Sequence, residues 1–512
     1  MRKKYFLFNK FINVFTGVKK CDMSTPRKAT VVSVCLLLGV FLGRIVSVYH
    51  YFAYVLPFAV VASGIFFKII TKKIFLLAVC IAFALGAAAS VIDARFFGAK
   101  EIDGNFETSG RVCGTRSDGK TVLENLTFDG EKVRGKAVVR LDKDYAQGAT
   151  VTFGCNAETY KVDVFDGYSA ALYCDGIYYN LRETGEIHVD VGETTVFEKA
   201  KKKMTDAIKA YMGEENAGIM KSLLFGDKSD LSEETGEAIN GIGMAHIFAV
   251  SGLHIGFLAA LLMKILRKLR VRRDVSLAVV FCALLFYGAV TGFPAGVKRA
   301  TIMTVVSGIA KLTARKNDSL TTLSLSAAII TVTNPRELFD LGFIMSFAAV
   351  LGIICFYKPI YRAMTRRVRN KVFGYVAKIL STTIAANTFV LPISFNTFGS
   401  FSLYAPIANL IILPIISVVF PIAACAAILS LAFFKAGTIF FVMNFALDFI
   451  RKISETIYSW KYSVIEVNGM GVSTAFYVAA LIAASRFVGI KKKSKYPIVG
   501  ALGAAMIISA VI

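Results

Sequence analysis

The sequence predicts a polytopic α-helical membrane protein interrupted by one soluble, β-rich insert, and three observations predict it. First, 55% of the 512 residues are hydrophobic, Phe alone occurs 42 times, only 18% are charged, and mean hydropathy is +0.60. A soluble chain of this length would be far more polar. Second, apolar runs of bilayer-spanning length recur along the chain. Third, residues 93–240 break that pattern with mixed charge, many Gly and Asp, and alternating polar and apolar positions.

The apolar runs fall near 29–48, 51–70 and 74–92, then near 244–263, 275–293, 298–314, 319–334, 339–357, 375–395, 404–434, 437–450, 473–490 and 496–512. At roughly 20 residues per span they make about thirteen crossings. The run 404–434 contains Pro406, Pro414 and Pro421 and is too long for one straight span, so a broken helix, a re-entrant segment or two short helices is expected there.

Charge orients the spans. In a soluble protein a formal net charge of +24 would point to nucleic acid, but here basic residues gather between apolar runs. The basic N-terminus, residues 1–28, holds eight Lys/Arg; no clear cleavage site follows, so the first apolar run reads as a retained helix. Lys68, Lys72 and Lys73 follow the second span. "KILRKLRVRR" (264–273) carries six Lys/Arg and no acid, and "KPIYRAMTRRVRNKVFGYVAK" (358–378) carries seven and no acid. Lys311, Arg315 and Lys316 follow the sixth span, and "KKKSK" (491–495) precedes the last. All of these alternate with a cytoplasmic N-terminus. The alternation places residues 93–240 outside, and the C-terminus outside too if 404–434 crosses once.

In the insert, 93–197, five period-two segments read as strands: "FETSGRVCGT" (106–115), "KTVLENLTF" (120–128), "KAVVRLD" (136–142), "ATVTFGCNAETY" (149–160) and "GIYYNLRE" (176–183). "SDG", "FDGE" and "AQG" turns separate them. Five short strands fit a small external barrel of the OB kind, with an ordinary small sandwich as the alternative. Residues 198–243 turn helical and amphipathic: Met204, Ala207, Ile208 and Tyr211 keep a 3–4 spacing, as do Ile219, Met220, Leu223 and Leu224. These helices are expected either to lie flat on the outer membrane surface or to pack on the barrel. Residues 244–450 then form the main helical core, and 451–512 a loop with the last spans.

Of nine cysteines, Cys35, Cys80, Cys282, Cys355 and Cys425 sit in apolar spans, where Cys serves as a small core residue. Cys113, Cys155 and Cys174 lie in the external insert, where disulfides persist; three allow one bridge, and Cys155–Cys174 is the expected pair. No cysteine pair has zinc spacing, and no metal or cofactor is expected.

Polar groups inside the apolar runs are the candidate functional residues. "MAHIFAVSGLHIGFLAALL" (244–262) carries His246, Ser251, Gly252, His254 and Gly256. On one continuous helix Ser251 and His254 share a face. Several readings stay open: interhelical hydrogen bonding, a serine hydrolase built on Ser251 and His254, a two-histidine metal site, and a water-lined passage. The hydrolase lacks a G-x-S-x-G and a nearby acid, and the metal site lacks further ligands. "TGFPAGVKRATIM" (291–303) breaks a span and then sets Lys298 and Arg299 on the outer side, against the charge rule. They read either as snorkelling side chains or as a cationic mouth that receives an anion. "RELFDLGFIMSFAAVLG" (336–352) holds Glu337, Asp340 and Ser346 at a membrane edge. Residues 381–414 carry Asn387, Asn396 and Asn409 with Pro392, Pro406 and Pro414, the pattern of broken helices that line a polar path.

Taken in order, these motifs resemble a known family. "SLLFGDKSDLSEETGEAINGIGMAHIFAVSGLHIGFLAALL" (222–262) is similar to the signature of ComEC-type competence channels, which pass transforming DNA through the inner membrane as a single strand. The likeness continues through "TGFPAGVKRATIM", "NPRELFDLGFIMSFAAVLG" and "FGSFSLYAPIANLIILP", and "DVFDGYSAALYCDGI" (163–177) resembles the end of the family's external OB-like domain. It covers most of the chain from about 29 to 434.

The resemblance implies a channel rather than an enzyme, in the cytoplasmic membrane, with single-stranded DNA and membrane lipid as its contacts. It implies an external DNA receptor and a cytoplasmic helicase-like ATPase, consistent with the lack of a P-loop here, and it is compatible with an oligomer. His246, Ser251, Gly252, His254 and Gly256 fall on its signature helix and Arg299 on its arginine after the Pro-containing break. Lys298 and Arg299 would form the mouth, and His246, Ser251, His254, Asn387 and Asn409 the lining. Tyr160, Tyr168, Tyr178 and Tyr179 of the insert would either stack bases or pack the barrel. Many family members carry a metallo-β-lactamase-like nuclease domain with clustered histidines. This sequence has only His50, His188, His246 and His254, so the nuclease is expected to be a separate protein or to lie beyond this sequence.

Overall fold

A computed structural model of the chain describes residues 25–47, 74–96, 101–115, 120–141, 145, 148–160, 167–190, 195–248, 250–312, 318–366, 370–461 and 463–466. The spans expected near 51–70, 473–490 and 496–512, the basic segments 1–24 and 491–495, and His50 lie outside the described residues.

The first two helices, α1 (Thr25–Ser47) and α2 (Ile74–Phe96), pack directly on each other. A Cβ on Gly39 would strike the Phe83 carbonyl, and one on Gly86 would strike the Leu36 carbonyl. Small residues bring the two backbones into contact, the packing device of helices that have no water to exclude.

The insert is a closed barrel. Strands β1 (Gly104–Thr115), β2 (Thr121–Phe128), β3 (Lys136–Val139), β4 (Thr150–Thr159) and β5 (Ile177–Glu183) are ordered β1-β2-β3-β5-β4, and β4 pairs back onto β1 from Gly104↔Ala157 to Arg111↔Thr150. Only β3 and β5 run parallel. Closure removes the sandwich alternative, and a five-stranded barrel with this order is OB-like. Alternation builds it: in β2, Thr121, Leu123, Leu126 and Phe128 turn inward. A short helix, α3 (Gly167–Cys174), precedes β5, and β6 (His188–Asp190) extends the sheet on β4.

The barrel corrects two expectations. Tyr178 and Tyr179 are 4% and 0% exposed, edge-on to one another in the barrel core, so neither ring can stack a base. Tyr160 packs, half-buried, against Val138, Leu172 and Ile177; the Tyr168 side chain lies outside the described residues. Cys155 and Cys174 are not bridged. The Cys155 thiol meets the Thr108 hydroxyl at 2.9 Å inside the barrel, while Cys174 Sγ donates to the Arg336 carbonyl at 3.0 Å on its outer side. Burial raises both thiol pKa values, which suppresses thiolate chemistry.

The linker forms α4 (Val196–Tyr211), α5 (Glu214–Phe225) and α6 (Glu233–Gly241). Thr195 and Glu198 close a capping box at the start of α4, Gly226 ends α5 in a left-handed conformation, and Ser232 caps α6. These helices pack mainly on the helical core rather than on the barrel. Their buried faces join one apolar core with later helices, from Met204 and Ile208 through Met220 and Leu224 to Phe420 and Phe440. Only the start of α4 reaches the barrel, where Arg111 binds Glu198 at 2.9 Å.

Lys221 of α5 is buried and ion-paired to Asp230 at 2.9 Å and Asp227 at 3.7 Å in the loop before α6, while Lys209 of α4 reaches Asp230 at 2.7 Å. Burial works to raise the Asp230 pKa, but the two lysine hydrogen bonds outweigh it and hold the carboxyl down at about 2. A depressed carboxyl stabilises the fold above its unfolded value, near 4, and that contribution is lost as pH falls through the folded value. Thermal melts at pH 5, 3 and 2 are therefore expected to show a drop that Asp230→Asn flattens; parallel curves for the two proteins would refute this.

The remaining helices are α7 (Ala245–Phe248), α8 (Gly252–Lys268), α9 (Arg273–Thr291), α10 (Ala295–Leu312), α11 (Ser319–Thr333), α12 (Leu341–Thr365), α13 (Lys371–Phe398), α14 (Ala405–Ser430) and α15 (Thr438–Tyr458). Among the described residues, α9, α12, α13 and α14 are long and apolar enough to cross a membrane, and Ala29–Leu42, Ala78–Val91 and Ser319–Thr333 are shorter apolar stretches. The chain is thus a membrane protein, though its described helices do not reach thirteen crossings. Outward-facing apolar side chains fit a lipid surround, as on α15, where Phe441, Val442 and Phe445 are 71–82% exposed.

The run 404–434 is not broken. It holds one continuous helix, α14, with Pro406 in its first turn and Pro414 and Pro421 inside it. A first-turn proline costs no hydrogen bond. The interior prolines are tolerated because α14 is buried along much of its length by the linker helices, α8 and α15. Antiparallel pairing of Ser400–Ser402 with Val464–Glu466 joins the loop before α14 to the segment after α15.

Candidate functional site

The expected single span at 244–262 is two pieces. α7 ends at Phe248, and Ser251, in extended conformation, caps α8. Ser251 Oγ accepts the His254 backbone N–H at 3.4 Å, and His254 Nδ1 accepts the Ser251 backbone N–H at 3.3 Å. Sequence spacing put both side chains on one helical face. The fold uses them as a reciprocal cap, with histidine at the position usually filled by Glu. The two side chains therefore bond backbone rather than each other, so no nucleophile–base pair exists here.

With Nδ1 accepting, a neutral His254 carries its proton on Nε2, by assignment from this network. That atom is buried and has no partner among the described residues. The ring is 0% exposed and stacks on Phe420 at 4.5 Å. His246, on α7, has more accessible surface than His254 and lies close enough to interact with it electrostatically. Among the described residues no three His, Cys, Asp or Glu side chains gather as metal ligands.

Close approach explains the glycines of "TGFPAGVKRATIM". Gly292 ends α9 in a left-handed conformation, and a Cβ on Gly296 would lie 2.5 Å from the Val250 carbonyl oxygen. The start of α10 therefore sits against the residues just before Ser251, and a Cβ on Gly252 would touch Ala300. The break in α8 and the break before α10 are one place in space.

The same turn of α10 presents Lys298 and Arg299 to two acids. Lys298 Nζ lies 3.2 Å from Glu337 and Arg299 NH1 3.4 Å from Asp340. Glu337 comes from a 3-10 turn, Pro335–Phe339, and Asp340 caps α12 by accepting the Phe343 N–H at 2.6 Å. This corrects the cationic mouth: neither base is unpaired, because the "NPRELFD" segment brings an acid to each. Arg299 and Glu337 are 7% and 4% exposed, and Arg299 Nε, Glu337 Oε2 and Thr301 Oγ1 are buried without partners among the described residues. Unpartnered buried polar atoms cost roughly 1–3 kcal/mol each where water does not reach them.

Arg336 of the same turn faces the other way. It holds Asp93 of α2 at 2.9 Å, lies over the rings of Tyr173 and Tyr178, and accepts Cys174 at its carbonyl. Tyr173 Oη donates to Asp93 at 2.9 Å. Three successive polar residues, Arg336, Glu337 and, after a short gap, Asp340, thus tie together α2, the barrel and α10. Sequence reasoning noticed Glu337 and Asp340 but not their partners. A usable signal exists: two bases stand on the outer side against the charge rule, and two acids stand at a membrane edge, each pair anomalous without the other.

Asn409 is buried on α14 with its Oδ1 unpartnered among the described residues, and Asn387 is half-buried on α13. No described hydrogen bond joins either to the charged cluster. A cavity of about 520 Å³ lies among α8, α9 and α10; of the candidate residues only Gly256, beside which a Cβ would meet nothing, lines it.

Residues 223–490 match the family model for competence protein. Among curated proteins, ComE operon protein 3 of Bacillus subtilis (strain 168) is 25% identical over 277 residues, 54% of this chain and 34% of that protein. The uncharacterized protein YcaI of Escherichia coli (strain K12) is 23% identical over 235 residues, 42% of this chain and 29% of that protein. An uncharacterized protein of Aquifex aeolicus (strain VF5) is 26% identical over 263 residues, covering 51% and 57%. The chain thus spans about a third of the first two relatives' length. No solved structure matches.

Proposed function

The chain belongs to the competence protein family, and from that premise we propose that it is a cytoplasmic-membrane channel that admits transforming DNA as a single strand. The family match over residues 223–490 carries the reading, because those residues include every polar feature of the helical core described above. A polyanion crossing hydrocarbon needs a wet path, since an ionised group there costs several kcal/mol by order of magnitude. The paired but under-satisfied cluster of Arg299, Glu337 and Asp340, with Thr301 and the Nε2 of His254 nearby in the chain order of the same motifs, supports such a path. It is a balanced polar entrance rather than a purely cationic one, which suits passage better than tight capture.

In this reading the polytopic arrangement has about thirteen crossings, the N-terminus faces the cytoplasm, and the barrel and C-terminus face outward. His246, Ser251, Gly252, His254, Gly256, Lys298, Arg299, Asn387 and Asn409 border or shape the path. A DNA receptor outside and a helicase-like ATPase inside are its partners, and assembly as an oligomer is compatible with it. The barrel receives the strand through its outer surface, since Tyr178 and Tyr179 are internal.

Labelled DNA entering the cytoplasm tests this. Deletion of the chain is expected to abolish entry, and normal entry would end the proposal. Ser251→Ala removes one cap acceptor, worth about 1 kcal/mol, and should leave entry within a fewfold of normal. Abolition of entry by a well-expressed Ser251→Ala protein would instead favour chemistry at that hydroxyl.

A further inference from the structure

The cavity among α8, α9 and α10 does not belong to the charged cluster. Its walls are Gly256, Ala260 and Met263 of α8, Leu277 and Val280 of α9, and Met303 and Leu312 of α10, with Thr304 and Ser307 the only hydroxyls. At 1.5 Å per residue, the lining from Gly256 to Met263 and from Met303 to Leu312 spans roughly 10–14 Å. Its volume of about 520 Å³ falls within the range of small-molecule sites. An apolar, elongated cleft of this kind fits a hydrocarbon chain and offers nothing to a nucleotide.

One end of the cleft is strongly basic. Arg273 lines it at the turn between α8 and α9. Lys264 and Arg267 follow Ala260 and Met263 by one helical step of four, so they continue the lining face of α8 past the apolar part, and both are exposed. Between residues 242 and 317 the only acid is Asp274, and it is bonded to Arg272 at 2.9 Å. The cleft therefore combines an apolar slot with a cluster of basic side chains at one end.

We propose that this cleft is a binding site for an anionic phospholipid, with an acyl chain along α8, α9 and α10 and the headgroup phosphate among Lys264, Arg267 and Arg273. Basic pockets between membrane helices select anionic headgroups in this way, and the charge rule places residues 264–273 at the cytoplasmic leaflet. Gly256 and Gly308 suit the role: the first leaves the slot open, and the second makes room for Leu277, which a Cβ there would strike. The proposal goes beyond the DNA-entry reading and does not depend on it.

The full chain in detergent tests it, with dioctanoyl phosphatidylglycerol, dioctanoyl phosphatidylcholine, inorganic phosphate and a short oligo-dT strand as probes. Binding is read by thermal shift and by native mass spectrometry. Phosphatidylglycerol should bind and stabilise well ahead of phosphatidylcholine, and phosphate or oligo-dT alone should not displace it. The double substitution Arg267→Gln and Arg273→Gln should weaken phosphatidylglycerol about thirtyfold and leave phosphatidylcholine unchanged. Ala260→Trp, which fills the slot, should lose both lipids; if that protein does not fold, the surface charge variant still decides. Equal binding of the two lipids by the unaltered protein, or displacement by phosphate or oligo-dT, would overturn the site.

Discussion

Arg299→Gln is expected to destabilise the protein by roughly 3–5 kcal/mol, because it removes one partner of a buried ion pair and leaves the other uncompensated. Arg299 is 7% exposed, and the carboxylates of Asp340 and Glu337 both lie on its side of α10. With the guanidinium gone, two acids remain in a poorly solvated turn with only Lys298 to balance them. Asp340→Asn should cost less: it takes the nearest carboxylate from Arg299, but Glu337 still balances the guanidinium and the amide oxygen can still accept the Phe343 N–H that starts α12. The double variant Arg299→Met with Asp340→Asn should therefore recover much of the stability lost in Arg299→Met. If Arg299 also borders the DNA path, the recovered protein should still admit labelled DNA poorly. Thermal melting in detergent reads the first effect and DNA entry the second. An Arg299→Gln protein as stable as the original would show that water reaches the pair, and restored entry in the double variant would remove Arg299 from the path.

Gly296→Ala should be nearly as damaging for a different reason. The new methyl would sit 2.5 Å from the Val250 carbonyl oxygen and 3.6 Å from Ser251 Cα, and both are backbone atoms. No rotamer change relieves that contact, so α10 must move away from the capped start of α8. Overpacking of this sort costs typically 1–3 kcal/mol, and more where the obstacle is rigid. The helix-propensity gain of Ala over Gly, about 1 kcal/mol in a helix interior and less in a first turn, runs the other way and loses. Gly256→Ala is the control, because a Cβ there meets nothing and sits well inside α8; it should be neutral or slightly stabilising. Equal melting temperatures for the two variants would mean that the approach of α10 to Val250 is not tight.

Several features were legible without coordinates because they depend on local periodicity. The barrel strands follow period-two alternation, so their positions and count were readable from 106–183. The ends of α9 and α11 followed from apolar run lengths and the flanking turn residues. The linker's amphipathic rows were likewise visible, and those rows are the buried faces of α4 and α5. Other features depended on what came to lie alongside. Pro414 and Pro421 predict a break only if nothing supports the helix around them, and α14 is supported. Ser251 and His254 look like a shared helical face only if the helix is continuous; a cap at Ser251 reverses the geometry. Tyr178 and Tyr179 are amphipathic rings equally suited to a core or a surface; an irregularity in the β3–β5 pairing, with Tyr173 and Arg336 against Tyr178, decided for burial of both.

Membrane class, the inserted barrel and the family follow from the order and spacing of residues, because span length, alternation and motif order are properties of the chain itself. Pairing of Lys298 and Arg299 with Glu337 and Asp340, the link from Arg336 to Asp93, the separate surroundings of Cys155 and Cys174, and the lipid-sized cleft were decided only by tertiary structure. The ion pairs join positions 39 to 243 apart, and an electrostatic or steric contact depends on distance in space, to which separation along the chain is blind.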